Sequence, residues 1–95
     1  MIEKREGKEA RTKELTMHLQ LAYRFWQRNK LETFHAELIS ATTLANNMKD
    51  SSEVAPIQSY IQAAKAAAKE NNAQGVATEL GKAIALSERM IRLQR

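Results

Sequence analysis

Apolar residues recur at intervals of three and four along almost the whole chain, and that spacing limits the fold more than any other feature. Leu15, Leu19, Ala22 and Trp26 share one face of a first helix, with His18 and Tyr23 at its margins. Leu31, Phe34, Leu38, Ala41, Ala45 and Met48 do the same in a second. A third carries Ile57, Tyr60, Ile61, Ala64 and Ala68, and a fourth Val76, Leu80, Ala83, Ile84, Met90 and Ile91. Sandwiches and barrels need many turns, and 3 Gly and 1 Pro in 95 residues do not supply them. The pattern predicts helices over roughly 6–28, 31–47, 53–70 and 74–93.

The interruptions agree with this division. Asn29-Lys30 and Asn71-Asn72 break the periodicity with a residue type that adopts the left-handed conformation at little cost. A polar stretch from Asn46 to Ser52 separates the second helix from the third. Ser52-Glu53 suits a helix start, and Pro56 is tolerable only in a first turn.

Sliding residues 15–48 over 57–90, an offset of 42, aligns identical residues at Gln20/Gln62, Ala22/Ala64, Asn29/Asn71, Glu37/Glu79, Leu38/Leu80, Ala41/Ala83, Leu44/Leu86 and Met48/Met90. Chance at this composition gives about two such identities. The repeating unit is a helical hairpin bent at its Asn, hairpin one covering about 6–48 and hairpin two about 53–93. A hairpin cannot bury its apolar face alone. The expected fold is therefore all-α, a single domain over 1–95, with two related hairpins packed as an up-and-down four-helix bundle. A right-angle, solenoid-like stacking of the hairpins is the alternative. Aromatic residues crowd the first bend (Tyr23, Phe25, Trp26, Phe34), and alanines fill the third helix. Large residues against small ones would let that helix approach closely. Hairpins of this type occur in export chaperones, phosphotransfer proteins and tetratricopeptide-type solenoids, and no motif here singles out one of them.

The chain has no cysteine, which excludes disulfides, thiolate metal sites and thiol catalysis. The start, Met1 to Glu6, mixes charges with no apolar run behind it, so no secretory leader is expected. The least polar stretch, Ala63 to Ala68, is interrupted by Lys65 and too short to span a bilayer. A soluble cytoplasmic protein with no membrane contact is the expectation.

The formal net charge is +4. Arg24, Arg28 and Lys30 form one basic cluster, and Lys82, Arg89, Arg92 and Arg95 another, offset by Glu88. In an up-and-down bundle these clusters lie at opposite poles. Each helix is expected to end in cations and the first three to begin near anions, the distribution the helix macrodipole favours. Arg89, Arg92 and Arg95, together with the basic N-terminal segment, are nevertheless candidates for phosphate contacts with nucleic acid. Against that, Glu3, Glu6, Glu9 and Glu14 interleave with the N-terminal cations, as on a solvated helix face.

Signals for catalysis are weak. Glu32-Thr33-Phe34-His35 has the spacing of a carboxylate-bridged metal ligand pair, but its counterpart Gln74-Gly75-Val76-Ala77 lacks both ligands. No metal site and no cofactor is expected. His18 reads as a boundary residue with a partner at its outer nitrogen. Glu37 and Glu79 read as flank residues with Lys or Arg partners, in preference to facing acids. Nucleophilic triads and glycine-rich phosphate loops are absent, so the chain is not expected to be an enzyme.

The functional signal is apolar. Met17, Leu21 and Phe25 form a second row on the first helix at spacing four, turned away from the first. Leu44 and Leu86 lie off the core face on the second and fourth helices, as do Ile39 and Leu93. A helix apolar on nearly two sides carries more apolar surface than one bundle covers. Met17, Leu21, Phe25 and Leu44 are the candidate partner-binding residues, unless the first helix simply sits deeper in the bundle. The reading is a non-catalytic protein-binding module (a small adaptor, export-chaperone-like protein or regulatory subunit). Its partner would be another protein or a second copy of itself, with nucleic acid as the alternative.

Overall fold

The computed structural model describes the backbone of residues 2–48 and 54–94 and the side chains of 10–48 and 54–93. Among the described residues the chain is entirely helical apart from its turns. The helices are α1 (Ile2–Gln27), α2 (Leu31–Asn46), α3 (Val54–Lys69) and α4 (Ala73–Gln94). α1 starts about a turn earlier than its apolar pattern indicates. Residues 2–14 are mostly Glu, Lys, Arg and Ala, which favour a helix through propensity without marking a buried face. The expected helix start at Ser52-Glu53 lies outside the described residues. Pro56 occupies the first turn of α3, where its missing N–H interrupts no helical bond.

Both bends are closed in the same way. In the first, Asn29 N–H donates to the Trp26 carbonyl at 3.0 Å and Lys30 N–H to the Phe25 carbonyl at 2.9 Å. In the second, Asn71 N–H donates to Ala68 at 3.0 Å and Asn72 N–H to Ala67 at 2.8 Å. Each Asn is left-handed, with φ of 60° and 57°. This is the Schellman closure, in which a left-handed residue just past the helix returns two N–H groups to its last carbonyls. The bends differ in how the next helix starts. Asn72 Oδ1 accepts the Gly75 N–H at 3.1 Å, whereas Lys30 offers no side-chain cap to α2.

Such tight bends force α1 against α2 and α3 against α4 as antiparallel pairs. α4 also packs along α1, and α2 along α3 over the lightest seam, while the diagonal pairs do not meet. The ring is closed in a body of 44 × 20 × 19 Å, which fits a four-helix bundle. A side-chain bond from Gln58 Nε2 to Asn46 Oδ1 (2.7 Å) ties the end of α2 to α3.

The core lies on the bundle axis. Leu15, Leu19, Phe34, Leu38, Ile57, Ile61, Val76 and Leu80 have no exposed surface, and Met48 and Met90 close the end away from the bends. Trp26 leans on Phe34 with ring centroids 5.1 Å apart. Leu31 departs from the core pattern and is 46% exposed. It is the first residue of α2, at the end of the bundle. Tyr60, Trp26, Ile84 and Ala68 are half-buried at the core margin. α3 and α4 come very close at their bend: a Cβ on Gly75 would stand 3.0 Å from the Ala67 methyl.

Candidate partner-binding face

The candidate face follows from the 100° turn per residue of an α-helix. On α1, Leu15, Leu19, Ala22 and Trp26 point to the bundle axis. Ala10, Glu14, Met17, Leu21, Arg24 and Arg28 lie about 150° away, on the outward side. Met17 is 46% exposed at the middle of that row, and Leu21 is half-buried beside it. Phe25 is half-buried and packs against the core margin, as do Leu44 and Leu86. Part of the apolar excess of α1 is thus taken up within the bundle.

The α1–α2 register is set by His18 and Glu37, whose Nδ1 and Oε2 atoms are hydrogen-bonded across the seam. Leu44 lies on the same side of α2 as Glu37 but seven residues further on, about 10 Å along the bundle and level with Arg11. The structure therefore keeps Met17 and Leu21 on the outward face, places Phe25 at its edge against the core, and sets Leu44 apart beside the α1–α2 seam. Ile39 and Leu93 are exposed, at 57% and 64%, on other helices.

The flank partners differ from the sequence expectation in one respect. Glu79 pairs with Lys82 at 3.8 Å, a lysine partner as expected, and Lys82 stands 5.6 Å above the Tyr60 ring. Glu37 is bonded to His18 in place of a Lys or Arg. The two positions on α1 and α2 are far apart in sequence, and only the register makes them neighbours. The His35 and Phe34 rings meet steeply, at 64° with centroids 5.1 Å apart, and Glu32 is exposed. Among the described residues no three His, Asp or Glu side chains converge as a metal site would require.

Sequence reading missed the polar contact between α1 and α4. Thr12, Thr16 and Ser87 are buried. Thr16 Oγ1 lies 2.7 Å from Ser87 Oγ and 3.0 Å from the Thr12 carbonyl, and Ser87 Oγ is 2.8 Å from the Ile84 carbonyl. Two proton arrangements satisfy the pair: Thr16 donates to Ser87, which donates to Ile84, or Ser87 donates to Thr16, which donates to Thr12. The only sequence signal is that Ser87 stands 42 residues after Ala45, itself a core position.

Of the basic candidates, Arg89 and Arg92 are exposed on the last turns of α4, and Arg95 lies outside the described residues. Arg24, Lys69 and Arg92 occupy the last turns of α1, α3 and α4, while the last turn of α2 holds no cation. Glu32 sits in the first turn of α2, but the first turns of α3 and α4 hold no acid. The anion expected near the start of α3, Glu53, and the cation expected after α2, Lys49, lie outside the described residues. Among the described residues no helix is long and apolar enough to cross a membrane. No protein-family model, curated protein or solved structure matches the chain.

Proposed function

We propose that the chain is a non-catalytic protein-binding module, built from two copies of one helical hairpin and acting through the outward face of α1. The observation that carries this reading is Met17, 46% exposed beside Leu21 at the middle of the outward face of α1, opposite the core. Hairpin two serves as an internal comparison. Its bend uses the same backbone bonds 42 residues on, and its buried positions Ile57, Ile61, Val76, Leu80 and Ala83 stand 42 residues after Leu15, Leu19, Phe34, Leu38 and Ala41. At the counterparts of Met17, Leu21 and Phe25 it carries Ser59, Ala63 and Ala67. A hairpin of this frame packs with small side chains there, so the larger apolar ones on hairpin one exceed what the bundle needs. An exposed Met with a half-buried Leu four residues on is suited to receive a partner's apolar segment, because the thioether adapts to irregular surfaces. An adaptor, a chaperone-like protein and a regulatory subunit all work in this way.

The test is capture of partners by wild type and by Met17→Gln/Leu21→Gln. Neither side chain belongs to the buried core, so the variant is expected to stay folded and to lose its captured protein. Retained capture by a folded double variant contradicts the reading, as does unfolding of the variant. A second reading rests on Arg89 and Arg92, exposed three residues apart on α4, as phosphate contacts. Binding that survives nuclease treatment and changes little with salt favours the apolar face. A steep salt dependence favours phosphate contacts, because counterion release dominates them.

A further inference from the structure

The outward row of α1 is Ala10, Glu14, Met17, Leu21, Arg24 and Arg28, spaced alternately by four and three residues. That is the spacing of a coiled-coil seam. Its inner four positions, Glu14, Met17, Leu21 and Arg24, read the same in reverse once charge is inverted. In an antiparallel pairing centred between residues 17 and 21, Met17 meets Leu21 of the other chain, Glu14 meets Arg24, and Ala10 meets Arg28. A two-fold axis repeats each contact, so at the centre Met17 and Leu21 face each other twice, each of the two acids faces a cation, and the small Ala10 leaves room for the Arg28 side chain. Glu14 and Arg24 are exposed, and neither has an ion-pair partner among the described residues. The seam would run about 27 Å, long enough for two helices to lie against each other. Hairpin two has no such row: the counterparts of Glu14, Met17, Leu21 and Arg24 are Pro56, Ser59, Ala63 and Ala66.

We infer that the partner on this face is a second copy of the chain, docked through an antiparallel α1–α1 contact. This rests on the protein-binding reading of the same face and adds the identity and orientation of the occupant. Complementary charge at the ends of the seam fixes the orientation: a parallel pairing would set Glu14 against Glu14 and Arg24 against Arg24.

The test is sedimentation equilibrium over a wide concentration range for wild type, Glu14→Arg, Arg24→Glu and the double exchange Glu14→Arg/Arg24→Glu. The wild type is expected to form a dimer. Each single reversal creates two like-charge contacts and weakens that dimer by about tenfold or more, and the double exchange restores it to within about threefold of wild type. Far-UV circular dichroism checks that all four fold alike. A wild type that stays monomeric throughout overturns the second copy as occupant, even where the Met17→Gln/Leu21→Gln pair abolishes capture of some other protein. A dimer indifferent to the single reversals, or not rescued by the exchange, overturns the antiparallel seam.

Discussion

The two described glycines of α4 make opposite predictions for the same substitution. Gly81 is exposed in the helix interior, and a Cβ built on it meets nothing within 4 Å. Gly81→Ala removes the conformational freedom glycine gives the unfolded chain and costs the folded one nothing, a gain of about 0.8–1 kcal/mol. For a domain of this size that raises Tm by about 4–8 °C. Gly75 lies in the first turn of α4, beside α3. Its Cβ would come 2.7 Å from Asn72 Nδ2 and 3.0 Å from the Ala67 methyl. The Asn72 amide can swing aside only by giving up the Gly75 N–H it caps, a loss of about 1 kcal/mol. The Ala67 methyl is attached to a packed helix, so α3 and α4 must also separate by a few tenths of an ångström. Together these exceed the propensity gain, which is smaller in a first turn. Gly75→Ala is therefore expected to lose about 1 kcal/mol, some 2 kcal/mol below Gly81→Ala. Thermal and urea melts followed by circular dichroism measure both. Equal stabilisation by the two substitutions would refute the close packing of α3 on α4 at the second bend.

The same melts read out the core and the bends. Leu38→Ala and Leu80→Ala, both without exposed surface, are each expected to cost about 2–5 kcal/mol, and a loss below about half a kcal/mol at either would remove it from the core. Asn29→Gly and Asn71→Gly are expected to be neutral or slightly stabilising, while alanine at either position costs about 1 kcal/mol, because it keeps the Cβ that resists the left-handed φ and loses the amide that offsets it locally.

The frame of the fold was legible because its signals are local. The apolar spacing identifies Leu15, Leu19, Leu38, Ile61 and Leu80 as core, and Asn29 and Asn71 mark both bends. What the sequence concealed depends on register or on position along the bundle. Leu31 has the right phase for burial but stands at the end of the body, where phase does not matter. Ser87 counts as polar by hydropathy, and its partner Thr16 is 71 residues away. His18 and Glu37 become neighbours only when the first bend fixes how α2 returns along α1. The beginning of α1 carries no apolar stripe, so propensity alone announces it. Of the candidate face, Met17 and Leu21 were readable from their angle on the wheel. That Phe25 and Leu44 are partly absorbed by the core was not, since periodicity does not say how wide a stripe the neighbouring helices cover.

The central claim is that the outward row of α1 is an association surface, and solution mass tests it most directly. Light scattering on wild type and on Met17→Gln/Leu21→Gln, at rising concentration and at low and high salt, compares each with the 10.8 kDa chain. The account predicts that wild type approaches twice that mass in both salts, and that the folded double variant stays at the mass of one chain. A variant that associates as readily as wild type would contradict it, because the contact would then lie on another face.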